Sequence, residues 1–403
     1  MIKAIVSKNN LPKGIYYVDR RSLRNLDLLF LLFTFLLLAA SLIILSTASI
    51  NVMKSNPFHY VETQAVWILT GIVIAVVLAV IDYTKWQHFR WWIYGFNLLL
   101  LLAVIFFGDT AKGATRWIYF TPSIGIQPSE FAKIFMILTL ADFLVKRKGR
   151  LNDVKDFIMP FLFILVPMLL IFKQPDLGTT LVFVAIFIGM MFVAGANPYK
   201  FGGLLLGGAV IVGIALWLHF SQDLPGWLQW AQGMPLPLQD YQLNRLIIFM
   251  DPAADQTGDG WHILQSLWAI GSGGLWGKGY RAGTQGQLNF LPEHHTDFVF
   301  SVVGEEFGFI GTITLLFLFL IFLLRGVYIA LRARDMYGML ISTGIVSMFT
   351  FHILVNVGMT SGIMPVTGIP LPLISAGGSA MWSNMAAIGL LLSVNLRHRR
   401  LMF

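Results

Sequence analysis

The sequence predicts an all-α integral membrane protein with about ten transmembrane helices. Three observations predict it. The 403 residues are 57% hydrophobic and only 12% charged, where a soluble domain carries about 25% charge. Mean hydropathy is +0.73. The apolar residues also fall in long runs, each near the ~20 residues that cross ~30 Å of hydrocarbon. Cysteine is absent, which excludes disulfides and thiolate zinc sites.

Residues 1–26 form a polar, basic tail with Lys3, Lys8, Lys13, Arg20, Arg21 and Arg24. The run 27–49 is too long for a signal-peptide core and reads as a retained first span. Further spans are predicted near 64–82, 92–108, 129–145, 157–172, 179–195, 202–220, 298–324, 338–358 and 380–396. A large extracytoplasmic loop, 221–297, separates spans seven and eight. The membrane domain as a whole is 27–403.

Charge sets the orientation. Six Lys and Arg lie in 1–26, two in 83–91, five in 146–156, one in 196–201, three in 325–337 and three in 397–403, which is 20 of 28. The positive-inside rule puts these segments and both termini in the cytoplasm. The net charge of +8 therefore reflects topology and gives no reason to expect nucleic-acid binding. Loop 221–297 exceeds the length of an unstructured connection. Leu243, Leu246, Ile247 and Met250 share one helical face, and Trp261, Leu264, Leu267 and Trp268 another, so two helices lying on the membrane surface are expected. Asp251-Pro252 and Asp259-Gly260 mark the break between them.

The polar residues worth explaining cluster from Gly271 to Gly311. Asp297 stands where span eight begins. It reads as a helix N-cap or as a general base whose apolar surroundings tune its proton affinity; one position can serve both. Glu305 and Glu306 lie inside that span, where an acid facing lipid costs roughly 2.5–3.5 kcal/mol. At least one of them must face the bundle interior. Glu130 and Lys133 share a helix face at i and i+3, as a salt bridge or the lining of a cavity. Pro128 and Ser129 mark that helix's start.

The segment GSGGLWGKG (271–279) fails the phosphate-loop pattern, which needs Gly at Ser272 and Ser or Thr at Gly279. Its amides, with Lys278 and Arg281, suit a lipid-linked pyrophosphate; a plain flexible turn is the alternative. Glu293, His294, His295 and Asp297 match no zinc pattern, and oxygen-rich coordination of a magnesium-type ion fits them better. Asp176 in QPDLGTT reads as the cap of the next span. PVTGIPLPLISAGGSA (365–380) is irregular, and at membrane depth it must be covered by protein or line a cavity. It is expected to be a re-entrant segment.

Six pieces carry a family resemblance: GATRW (113–117), QPSEFAK (127–133), QPDLGTT (174–180), GDGWHILQSLWAIGSGGLWGKG (258–279), GTQGQLNFLPEHHTDFVFSVVGEEFG (283–308) and Pro365–Gly378. On these the chain resembles the SEDS proteins (shape, elongation, division and sporulation). The resemblance implies a peptidoglycan glycosyltransferase that polymerises lipid II for cell elongation on the outer face of the bacterial cytoplasmic membrane. It puts the catalytic aspartate at Asp297, an essential arginine–tryptophan loop at Arg116 and Trp117, and a buried acid–lysine pair at Glu130 and Lys133. It also implies a divalent cation, Mg2+ or Mn2+, and partnership with a class B penicillin-binding protein and other elongation-complex membrane proteins. Substrate-binding roles are expected for Arg116, Trp117, Glu130, Lys133, Asp176, Arg245, Lys278, Arg281, His295 and Glu305. Two rival readings are a lipid II flippase, which would use the intramembrane charges, and a non-catalytic scaffold for the transpeptidase.

Overall fold

The computed structural model describes residues 25–48, 58–111, 114–121, 124–220, 240–252, 255, 258–288, 290–291 and 293–398. Most of the basic tail and residues 221–239 of the large loop lie outside them.

Among the described residues, ten helices of 17 to 33 residues stand where the ten spans are expected: α1 Leu28–Ala48, α2 His59–Val80, α3 Arg90–Phe107, α4 Pro128–Val145, α5 Val154–Lys173, α6 Leu177–Val193, α7 Pro198–Phe220, α11 Val299–Leu331, α12 Met336–Thr360 and α13 Gly378–Leu396. Eight of them are long and apolar enough to cross a bilayer. The other two are α6, with 17 residues, and α4, whose apolar run is interrupted by Glu130, Lys133 and Asp142. An apolar run becomes a helix in lipid because only a helix satisfies its backbone groups internally.

Burial sorts the helices. α13 is buried almost throughout and packs on α2, α4 and α12. Gly389 makes the closest approach: a Cβ there would meet the Ala75 carbonyl oxygen at 2.6 Å, the small-residue contact expected between membrane helices. α7 lies at the edge, with Phe201 its one buried residue. One end of the bundle is tied by ion pairs: Arg325 to Asp27, Arg397 to Asp82 and Arg90 to Asp142. This is the end that charge assigns to the cytoplasm.

Two features complete the opposite end. Helices α8 Asp240–Met250 and α9 Asp259–Gly273 stand where surface helices are expected. α9 packs on α11 through Ile263, Ser266 and Ala269, and Trp268 stays exposed. A short helix, α10 Thr284–Gln287, follows. The sequence reading placed no strand, yet the connection between α3 and α4 is a small antiparallel sheet, β1 Asp109–Ala111, β2 Ala114–Thr121 and β3 Ile124–Ile126. β2 is rich in β-branched and aromatic residues (Thr115, Trp117, Ile118, Tyr119), a strand composition too short to stand out between apolar spans.

Candidate active site

Asp297 sits at the end of a tight turn. The amides of Thr296, Asp297 and Phe298 all donate to the Glu293 carbonyl, at 3.1, 3.1 and 3.2 Å. α11 begins only at Val299, with Phe298 at the cap position and no side-chain cap. Phe298, and not Asp297, holds the cap position, and Asp297 is partly exposed. Asn356 of α12 donates to the Asp297 carbonyl at 2.9 Å and to the Ile369 carbonyl at 2.8 Å. Ser375 donates to the Thr296 carbonyl at 2.5 Å, and the Ala376 amide to that of His295 at 3.0 Å. The turn is thus stitched to the irregular segment 365–377. That segment is covered by protein: Val366, Ile369, Leu371, Leu373 and Ile374 are buried, as its depth requires.

Gly368 gives the carboxylate its place. Its φ is +71°, and a Cβ there would stand 3.5 Å from Asp297 Oδ2. A left-handed residue without a side chain lets backbone and acid lie together.

Gly368, Ile369 and Pro370 also wall a polar cavity with Arg116, Gln127, Glu130, Asp176, Thr179 and His352. Its volume is about 40 Å³, room for a few waters and not for a sugar, so a substrate must sit at its mouth. Two helix N-termini converge here. α4 starts after Gln127 with Pro128 in its first turn. α6 starts after Asp176, whose side chain accepts from the Thr179 amide at 3.0 Å and the Thr179 hydroxyl at 2.9 Å. Asp176 is the helix cap the sequence suggested, and it faces the cavity as well. Arg116 reaches in from β2, donating to the Pro175 carbonyl and standing 4.0 Å from Asp176. The guanidinium and the two helix N-termini favour negative charge, and Asp176 and Glu130 on the same wall already supply it.

Glu130 and Lys133 form the buried pair expected of them, with both carboxylate oxygens 2.9 Å from Nζ. His352 Nε2 lies 3.3 Å from the same Nζ, and Ser383 donates to the Glu130 carbonyl at 2.9 Å. Every polar atom of the ammonium is thus held in one geometry, as burial of a charge demands.

The Gly271–Gly311 stretch folds differently from the pyrophosphate cradle considered above. α11 breaks at Gly308, φ +66°, and a Cβ at that position would meet the Gly277 nitrogen at 2.3 Å. The Gly-rich loop packs into that break. Lys278 donates to Glu305 at 2.6 Å, and the Thr284 amide and hydroxyl donate to the same oxygen at 2.7 and 2.9 Å. Glu305 is therefore satisfied inside the protein, as its depth predicts. Lys278 is committed to it, and neither lines the cavity beside Asp297.

Of the other expected site residues, Trp117 lies on β2 and stacks on Tyr119, ring centres 6.1 Å apart. The His295 ring lies tilted against that of Tyr60, centres 4.4 Å apart. Arg281 lies over Phe58 and Tyr280, and Arg245 is on α8. None of these four lines the cavity. Gln127, Thr179, His352 and Asn356 do belong to the site and were not singled out. His352 and Asn356 were detectable, as polar residues four apart on one face of an apolar span.

Among the described residues no group of three or more His, Asp or Glu is arranged to hold a metal ion. Glu130 is taken by Lys133, and Asp176 by Thr179 and Arg116. The described residues do not build a protein cage for a divalent cation.

A bundle of apolar helices with an acid packed beside the wall of a small polar cavity defines a multi-pass membrane protein with a polar site at one end. Residues 27–400 match the FtsW/RodA/SpoVE model, described as a cell cycle protein. The peptidoglycan glycosyltransferase RodA of Treponema pallidum is 36% identical, the match covering 94% of this chain and 99% of the relative. The peptidoglycan glycosyltransferase MrdB of Escherichia coli K12 is 37% identical, covering 92% and 94%. A chain from a solved structure that concerns the coordination of polymerization and crosslinking by a peptidoglycan synthase complex superposes with a TM-score of 0.75 at 29% identity, covering 92% and 98%. The chain belongs to the FtsW/RodA/SpoVE family, whose curated relatives here are named peptidoglycan glycosyltransferases.

Proposed function

We infer that the protein is a peptidoglycan glycosyltransferase that polymerises lipid II into glycan strands for cell elongation, with Asp297 as general base. Asp297 takes the proton from the 4-hydroxyl of the acceptor's N-acetylglucosamine. That oxygen forms a bond to C1 of the donor's N-acetylmuramic acid as the bond from C1 to the lipid pyrophosphate breaks. Attack from the opposite face changes the linkage from α to β. A glycosidase needs a second carboxyl to protonate its leaving group. Pyrophosphate leaves as a stabilised anion and needs charge neutralisation instead. The observation that carries this reading is the Asp297 carboxylate in van der Waals reach of Gly368; Gly368, and not Asp297 itself, lines the cavity that holds Arg116 and the start of two helices.

The divalent cation expected from the resemblance, Mg2+ or Mn2+, would arrive with the pyrophosphate and need at most one or two protein carboxylates. The cleft faces outward and both termini face the cytoplasm, as the Lys and Arg distribution favours. A class B penicillin-binding protein that cross-links the strands, together with other elongation-complex membrane proteins, completes the proposed setting.

The test is purified protein with labelled lipid II, read as product length on a gel. Strands made by the protein support the reading. Translocation of lipid II across vesicle membranes without strand formation would establish the flippase instead.

A further inference from the structure

At the opposite end of α4 lies a second cleft, which the proposed reaction does not use. It is an open surface groove of about 360 Å³ walled by Lys146, Arg147, Arg150, Lys155, Asp156 and Met159. That volume falls within the ~300–1,000 Å³ of small-molecule sites. Along α4 it is roughly 25 Å from the Glu130 end, at ~1.5 Å per residue.

Its charge is unbalanced. Asp156 is committed to capping α5, accepting from the Asp153 amide at 2.9 Å and the Asn152 amide at 3.2 Å. Lys146 pairs with Asp142 at 2.9 Å, and Asp142 also takes Arg90. Arg147 lies 4.0 Å over the Phe143 ring. Among the described residues no carboxylate stands within ion-pair distance of Arg147, Arg150 or Lys155. Lys155 also sits in the first turn of α5, where the helix dipole disfavours a cation. Three cations side by side along an open groove, one of them against the local dipole, give it a positive field that favours an anion.

The surroundings say where that anion comes from. Met159, Ile158 and Leu162 continue outward from the cleft along α5 as exposed apolar residues, a wall for acyl chains. Trp92 at the start of α3 is 80% exposed and Tyr199 at the start of α7 is 89% exposed. Both mark the headgroup level, where aromatic residues anchor membrane helices. The Lys200–Asp153 ion pair brings the start of α7 beside that of α5. We propose that this cleft binds the phosphate headgroup of an anionic glycerophospholipid, at the membrane surface opposite the active site. Basic pockets between helices at that surface suit such headgroups.

The test uses the purified full-length protein in detergent, offered equal amounts of phosphatidylglycerol and phosphatidylcholine, with bound lipid read by native mass spectrometry. The protein should retain phosphatidylglycerol in about 100-fold preference. With roughly fivefold contributed by each cation, the triple variant Arg147→Gln/Arg150→Gln/Lys155→Gln should lose about 100-fold in retention. Lys85→Gln, which alters an exposed cation outside the cleft wall, should lose none. Equal retention of the two lipids by the unmodified protein would overturn the proposal without any variant. So would unchanged preference in a triple variant that elutes as a folded monodisperse species. If excess inorganic phosphate strips the lipid from the unmodified protein, the cleft is a site for soluble phosphate and the lipid assignment fails.

Discussion

Asn356 and Asp297 are joined by one hydrogen bond that fixes the proposed base. The amide of Asn356 donates to the Asp297 carbonyl at 2.9 Å, and its other hydrogen reaches the Ile369 carbonyl at 2.8 Å. A single buried side chain on α12 thus locks both the turn that carries the acid and the segment that carries Gly368. Asn356→Leu leaves two carbonyls without that donor, at about 1–3 kcal/mol for buried groups. Turnover of lipid II should fall at least about tenfold, more than a stability loss of that size explains while the variant remains folded. Thermal unfolding and initial rates on the same preparation separate the two effects.

Gly368→Ala tests the close approach from the other side. The position has φ +71°, and the added methyl would stand 3.5 Å from Asp297 Oδ2. The left-handed conformation costs an alanine about 1–2 kcal/mol, and the methyl displaces solvent from the carboxylate. Activity should drop while lipid II binding, followed with a non-polymerisable analogue, stays close to that of the parent.

The buried Glu130–Lys133 pair predicts an asymmetry. Lys133→Met strands the Glu130 carboxylate away from water and should destabilise by about 3–5 kcal/mol. Glu130→Gln/Lys133→Met removes both charges and should recover most of that loss, because an uncharged pair needs no compensation. Strand synthesis should remain impaired in the double variant, since Glu130 walls the cavity itself. A double variant with full stability and full activity would reduce the pair to a structural ion pair.

Much of the fold was legible because the bilayer allows few solutions. Ten apolar runs gave ten helices, and Glu305, forced to find partners, found Lys278 and Thr284. The buried irregular segment at Pro365 was legible for the same reason. The sheet that carries Arg116 was not, since a few β-branched and aromatic residues between spans give a weak signal. Nor was the fate of the Gly-rich loop. Its glycines looked like amides free for a ligand, and they are spent on the break at Gly308. Which cations reach Asp297 depends on helix packing, which spacing in sequence does not encode.

His294 supplies a pH dependence. It is buried, and its Nδ1 faces the Leu291 carbonyl at 2.6 Å. Burial, outweighing the carbonyls of Leu291 and Ala48 and the charges of Glu293 and Glu305, holds its proton affinity below the ordinary histidine value. The unfolded chain therefore takes up the proton first as pH falls. This stabilising contribution is complete above about pH 6.5 and is lost as pH falls through that value toward the lower folded one. Thermal stability measured from about pH 8 to 5 should decline on the acid side, and His294→Gln should flatten that decline.

The most direct measurement is the rate at which purified Asp297→Asn polymerises lipid II. The substitution keeps size and hydrogen-bonding shape and removes the base. A loss of about 10²- to 10⁴-fold is expected, with the unfolding temperature unchanged from the parent. Strand synthesis at the parent's rate by the folded variant would contradict the assignment of Asp297.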